Sequence, residues 1–328
     1  MRNEGPFIVE WVTWYRMLGF TDIVIVTNNC ADRSPELLDA LQAAGWVHHL
    51  RRNIAAGLSI TPRKLIAAKR HPAVRSAQWL MVCDVDEFLV IHKGDGLIGD
   101  LIDTSGGDPA FLGMSINWKV FGTDGRATFE DTPVHQQFVH GCGVEHGSSR
   151  FVKSIFRKPR WFASLAEHGP QGLDLGRARQ IWGAPGMVWV NSAGKRIDNW
   201  RPDGPYLRAL SAARTTHKVA QINHYMLRSA ESYSLKRLTK SPVSLRRRYT
   251  KWYFDRANSG DQIDASAFRH ADSFADLFAQ AMALPDVARL HQLCCADHIR
   301  LICEKAGTKP ELDPRYQHHL EAAQTNPA

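Results

Sequence analysis

The chain has 328 residues, with 41 Lys+Arg against 33 Asp+Glu, a net charge of +8 and a sequence pI near 9.3. At 44% hydrophobic and 23% charged it suits a soluble globular protein of one large domain or two ordinary ones, not a disordered or collagen-like chain. No apolar run approaches the roughly 18 residues of a membrane-spanning helix, and Met1–Pro6 lacks the basic-then-apolar build of a signal peptide. The six cysteines (Cys30, Cys83, Cys142, Cys294, Cys295, Cys303) form no CxxC and no zinc-ligand spacing, so they read as reduced thiols of a cytosolic protein. The fifteen histidines are scattered and make no paired metal motif.

In chain order, Phe7, Trp11, Trp14, Tyr15 and Leu18 recur at helical spacing between Pro6 and Gly19, predicting a helix whose aromatic residues pack into the core. Ile23-Val24-Ile25-Val26 predicts a strand buried on both faces, ending in the polar turn 27–34. A helix over 35–44, a short strand over 46–50 and a helix over 61–70 follow. Residues 79–91 give the strongest strand signal in the chain. Alternating strands and helices predict an α/β fold with a mostly parallel sheet. Further strands are predicted over 110–121 and 151–157, the second with half-buried alternation. The stretches 122–149 and 167–205 are loop-like. From Glu231 the chain is basic and helical, with Arg246-Arg247-Arg248 and Lys251-Trp252-Tyr253-Phe254, and 273–305 predicts a helical pair broken near Pro285. The last twenty or so residues are polar and predicted to fray.

Three carboxylates, Asp84, Asp86 and Glu87, interrupt the apolar run 79–91. Burying such charges costs several kcal/mol per ion unless something pairs them. In an extended strand Asp84 and Asp86 project to one side, offering two hard oxygen ligands to a divalent cation at the edge where open α/β sheets bind ligands. The alternative is a pair of ion-paired carboxylates, with Arg16 or Lys64 as partners. A cation there, beside basic side chains, is what a diphosphate leaving group needs.

Six segments taken in order resemble glycosyltransferase family 2-like proteins of the branch related to family 92. Arg2-Asn3-Glu4-Gly5-Pro6-Phe7 with Glu10-Trp11, Trp14-Tyr15 and Leu18-Gly19 is similar to its opening, and Asn28-Asn29-Cys30-Ala31-Asp32-Arg33-Ser34 to its "DNxSxDxS". Asp84-Val85-Asp86-Glu87-Phe88 resembles "DxDEF", Asn117-Trp118-Lys119-Val120-Phe121-Gly122 "NWxxFG", and Val152-Lys153-Ser154-Ile155-Phe156-Arg157 "VKSIxR". Ile222-Asn223-His224-Tyr225 with Arg228-Ser229 and Glu231 resembles "NHYxxRSxExF". The resemblance covers roughly residues 2–240.

It implies a GT-A-type glycosyltransferase domain over 1–240 (a nucleotide and metal half, 1–109, and an acceptor half, 110–240) and a basic helical C-terminal extension, 241–328. It further implies a nucleotide-sugar donor, a glycan or lipid-linked glycan acceptor, and Mn2+ or Mg2+. Asp86 would ligate the metal, Asp84 would hold metal-bound water or the ribose, and His224 would be a third ligand. Asn3, Glu4 and Asp32 would line the nucleotide pocket, and Lys153 and Arg157 would face the diphosphate. In the family a central first β-strand precedes the "RNE" segment, whereas this chain begins at Met1. The expectation is a gap between two neighbouring strands and a start codon further upstream.

An inverting transferase needs a base for the acceptor hydroxyl, and Glu145, Glu167 and His168 are the candidates, with Glu167 preferred. Competing readings are a non-catalytic binding protein derived from a transferase, a nucleotidyl or phosphoryl transferase using the same aspartates without a Walker-type loop, and a nucleic-acid binder. The last would use Arg51-Arg52, the basic run 153–160 and Arg246–Arg248, although no recognised nucleic-acid module is present. The expected location is the cytosol, with a net charge suited to peripheral contact with an anionic inner membrane face.

Overall fold

The computed structural model describes residues 1–102, 111–182, 187–237, 239, 241 and 249–325. The basic triplet Arg246–Arg248 therefore lies outside the described residues. A short 3-10 turn leads into α1 (Ile8–Met17), followed by β1 (Val24–Asn28), α2 (Ser34–Ala43), β2 (His48–Arg52), α3 (Ile60–Arg70) and α4 (Pro72–Ser76). Next come β3 (Trp79–Met81), β4 (Glu87–Ile91), α5 (Ile98–Ile102), β5 (Gly113–Val120), α6 (Val134–Gln137), β6 (His140–Gly141) and β7 (Val152–Arg157). The chain continues through β8 (Phe162–Ala166), β9 (Gly169–Leu173), α7 (Leu175–Trp182), β10 (Trp189–Asn191) and β11 (Ala220–His224). It ends with α8 (Ala230–Lys236), α9 (Lys251–Ala257), β12 (Gln262–Ile263), α10 (Ala271–Met282), α11 (Val287–Ala306) and α12 (Pro314–Thr325).

The fold is α/β, but its main sheet is mixed and curled rather than mostly parallel. The strand order is β3-β7-β5-β11-β4, with β10 beside the first half of β5. β5 runs parallel to β10 and β11, whereas β7 is antiparallel to both β3 and β5, and β4 is antiparallel to β11. Strands from both expected halves of the chain thus share one sheet, with the two from the first half, β3 and β4, at its ends. The C-terminal helices belong to the same core: Phe274, Cys294, Cys295 and Ile299 are buried with Trp14, Leu37 and Phe88 in one apolar cluster.

The strand expected over 79–91 is broken at the acids. β3 and β4 are consecutive in the chain yet lie at opposite ends of the sheet, and residues 82–86 carry the chain between them. Three carboxylates in a continuous buried strand would face apolar neighbours; the backbone leaves the ladder at Asp84 and Asp86 and rejoins it at Glu87, the first residue of β4. The β4 edge is closed by α1. The Trp11 and Trp14 indoles donate to the carbonyls of Glu87 (3.1 Å) and Leu89 (2.9 Å), and the Tyr15 hydroxyl donates to Glu87 O (3.0 Å). Helical spacing of three aromatics thereby satisfies edge carbonyls that a partner strand would otherwise take.

β1 and β2 form a separate parallel pair. Beyond β1, on the side away from β2, the backbone of Met1 alone among the described residues pairs with it: its nitrogen donates to Val26 O (2.6 Å) and its carbonyl accepts from Asn28 N (3.3 Å). That is parallel-ladder geometry opposite Thr27. In this ladder the amides of Ile25 and Thr27 face β2, while those of Val24 and Val26 point into the cavity between β1 and β3. Hydrogen exchange should therefore alternate along β1, with Val24 and Val26 exchanging at least about tenfold faster than Ile25 and Thr27. Uniform protection, read by residue-resolved NMR, would mean the two sheets are joined.

Two further expectations change. β7 is not half-buried but buried along its length to Phe156, Lys153 included, because β3 and β5 flank it on both edges and the β8–β9 hairpin packs against it. As far as Thr325 the polar C-terminal stretch is a packed helix rather than a frayed end. Asp313 caps it by accepting from Arg315 N (2.9 Å), Pro314 opens the helix, and His319 and Ala323 are buried as α12 packs along α11.

Candidate functional site

The turn that breaks the sheet sits at a cavity of about 1140 Å³ lined by residues of β1, α3, β3, β7 and α8. Of the residues expected from sequence, Asn3, Glu4, Asp84, Asp86, Lys153, Glu167, His168 and His224 line it, and Asp32, Arg157 and Glu145 do not.

Lys153 organises one side. Its side chain is 1% exposed, and its ammonium lies 2.8 Å from Asp84 Oδ2, 2.9 Å from Glu87 Oε2 and 2.8 Å from the Glu167 carbonyl. Burial opposes the charge, but Asp84 and Glu87 outweigh it and hold the ammonium above the ordinary lysine range. Glu87 is fully buried, and its Oε2 also accepts the Asp84 amide at 2.8 Å while its Oε1 has no partner. Burial pushes the Glu87 carboxyl up to about 7 against the pull of Lys153. Between its ordinary value of 4.5 and about 7 the folded chain keeps a proton that the unfolded chain has released. This group's contribution to stability therefore falls as pH rises through that window, by about 3 kcal/mol in all. Glu87→Gln should remove the fall. Urea midpoints of both proteins between pH 5 and 7.5 check this, and equal slopes would show Glu87 ionised throughout.

Asp86 points the other way. Its side chain is 14% exposed, with Oδ2 at 3.0 Å from the Lys236 ammonium and Oδ1 at 3.6 Å from His224 Nε2. Burial would raise this carboxyl, but Lys236 and His224 overcome it and hold it well below the usual range. The loop after β11 adds Arg228, whose guanidinium lies 3.4 Å from the Phe7 ring centre and 2.8 Å from Glu4 Oε2. Arg228 has a left-handed backbone (φ 57°), which turns the chain sharply before α8.

The two aspartates therefore do not share a face, as an extended strand would require, and their ion partners are Lys153 and Lys236, not Arg16 or Lys64. Asp86 and His224 come together, whereas Asp84, 66% exposed, is held away by Lys153. One carboxylate oxygen and one imidazole nitrogen 3.6 Å apart could together hold one divalent cation. His224 Nδ1 is buried without a partner. The expected ligand set thus reduces to Asp86 and His224.

Asp32 is a structural cap. It is 9% exposed, and its oxygens accept from Gly5 N (3.2 Å), Ser34 N (3.2 Å) and Ser34 Oγ (2.6 Å). An aspartate placed just before an SPE helix start is a usual acceptor of such bonds. Arg157 lies at the far end of β7, opposite Trp79, with its guanidinium 5.6 Å from that ring. Asn3 Oδ1 accepts the Ala31 amide at 2.8 Å. Glu167 and His168 form the turn of the β8–β9 hairpin: the Glu167 carboxylate accepts from Tyr206 OH (2.9 Å), and His168 Nδ1 donates to Val152 O (2.7 Å). Burial, then Lys153, lowers His168 to about 4, so it is neutral at pH 7.

The sequence pattern assigned no site role to Glu87 or Arg228, although both lie in its motifs, and did not single out Lys236 or Tyr206. Glu87 carried a signal, being the third acid of the run. Lys236 and Tyr206 carried none, because distance along the chain says nothing of which loops fold over a cavity. Lys153, the first residue of the basic run 153–160, is buried and so adds no charge to the surface that a nucleic-acid reading would use.

No protein-family model, curated protein or solved structure matches the chain. All six cysteines are free thiols, and no described helix is long and apolar enough to cross a membrane.

Proposed function

We propose that the protein is a metal-dependent glycosyltransferase that moves a sugar from a nucleotide-sugar to a glycan or lipid-linked glycan, with inversion, in a reducing compartment. One observation supports the reading most: Asp86, His224, Lys236 and Arg228 face a single large cavity beside the sheet break. Asp86 and His224 would hold Mn2+ or Mg2+, which would supply positive charge to stabilise a diphosphate leaving group. Lys236 and Arg228 would neutralise the remaining diphosphate charge. Asn3 and Glu4 would border the nucleoside. Glu167, oriented by Tyr206, would take the acceptor proton.

A second reading has its own support. Both aspartates are already neutralised by lysines, as in a non-catalytic descendant of such an enzyme. Calorimetric titration of UDP and GDP, with and without Mn2+, followed by an assay of nucleotide-sugar hydrolysis, separates the two. Metal-dependent binding with hydrolysis supports the transferase. Binding without hydrolysis supports the non-catalytic reading, and no binding of either nucleotide overturns both.

A further inference from the structure

We propose a structural Zn2+ site, independent of the cavity above, formed by Asp131, His291, Cys295 and His319, which fastens α11, α12 and the 124–133 loop to one another. Ligand atoms of Asp131, Cys295 and His319 all lie within 4.8 Å of one another. His291 Nε2 lies beside this trio, 2.8 Å from Asp131 Oδ1 and 3.7 Å from Cys295 Sγ, and would be the fourth ligand. The last separation is already close to the edge of a tetrahedron built on Zn–S of about 2.3 Å and Zn–N of about 2.0 Å.

The donors come from three separate elements. His291 and Cys295 are four apart on α11 and so share one helical face. His319 comes from α12 and Asp131 from the loop before α6. His291, Cys295 and His319 are 4%, 0% and 6% exposed, and the Asp131 side chain is 25% exposed. One thiol, two imidazoles and one carboxylate form a borderline-soft set that selects Zn2+ over Mg2+ or Mn2+.

Two observations beyond the cluster itself point to an ion. His319 Nδ1 contacts Gln292 Oε1 at 2.6 Å; donating its proton there puts the ring's lone pair on Nε2, the outer-shell bond that metal-bound histidines usually make. A shallow cavity of about 440 Å³, lined by Phe129, Asp131, Arg315 and His319 among others, opens on the cluster and gives an ion a way in. Binding would release the Cys295 proton as the thiolate forms, so uptake weakens as pH falls. The ion's role here is mechanical, since it joins the last two helices to the loop that leads into α6, whose Val134 and His135 amides donate to the buried Glu10 carboxylate at 2.9 and 3.1 Å.

The test is Co2+ titration of the full chain after chelator treatment, with Zn2+ displacement. One equivalent of Co2+ should give a thiolate-to-metal charge-transfer band and tetrahedral ligand-field bands, both abolished by stoichiometric Zn2+. Cys295→Ser should remove the charge-transfer band, and Gln292→Ala should lower affinity about 10–100-fold. Cys83→Ser and Asp86→Asn should leave the band intact, which separates this site from the proposed donor site. Should Cys295→Ser fail to fold, His319→Gln serves instead, with an expected loss of at least about tenfold in Co2+ affinity. No charge-transfer band at excess Co2+, a band that survives Cys295→Ser, or unchanged affinity in His319→Gln overturns the proposal.

Discussion

Lys153→Met should destabilise the protein by about 3–5 kcal/mol at pH 8, the cost of leaving a buried carboxylate without its partner. The partner left behind is Glu87, fully buried, with one oxygen already unsatisfied and the other 2.9 Å from the lysine. Asp84 adds little to this figure, because it is 66% exposed and can turn to water. The loss should shrink towards pH 5, since Glu87 then takes up a proton and no longer needs a counter-charge. Adding Glu87→Gln should recover most of the stability at pH 8. Urea unfolding of the single and double variants at both pH values decides the matter. A Lys153→Met protein as stable as wild type at pH 8 would show that the ion pair is not what holds the turn to β7.

Asp86→Asn should weaken Mn2+-dependent binding of a nucleoside diphosphate by at least about a hundredfold, because loss of a direct ligand exceeds the 10–100-fold typical of an outer-shell change. The amide keeps the shape of the carboxylate and its bond to Lys236 but gives up the charge. Stability should change by no more than about 1 kcal/mol, since the Lys236 side chain is 25% exposed and can be solvated. These two readouts separate the roles open to Asp86. A large loss of metal-dependent affinity with little change in the unfolding midpoint marks a ligand. Unchanged affinity with a lowered midpoint marks a structural partner of Lys236 and removes the metal from the proposed site.

Much of the local structure was legible because it depends on neighbours in the chain. The aromatic spacing of 7–18 yields α1, the β-branched run 23–26 yields most of β1, and the break near Pro285 falls between α10 and α11. Backbone sterics and amphipathic period act over a few residues, so a single stretch states them. The acids at 84–87 were legible as a costly feature needing an explanation. Their geometry was not, because a turn and a strand of the same residues differ only in what lies around them. Lys236, 150 residues from Asp86, becomes its partner only when α8 folds over the cavity.

By itself, the sequence determined the α/β class, most element positions and the candidacy of Asp86, Lys153 and His224. Only the tertiary structure decided that the sheet is mixed, that Asp32 is a cap, that Asp84 and Asp86 face different lysines, and that the last helix packs against α11. It also brought Asp131 and His319 to the His291–Cys295 face of α11, where no motif spacing gave notice. The physical reason is the same in each case. Strand direction, ion pairing and ligand convergence are set by contacts between distant segments, whose free energy exists only once the core has closed.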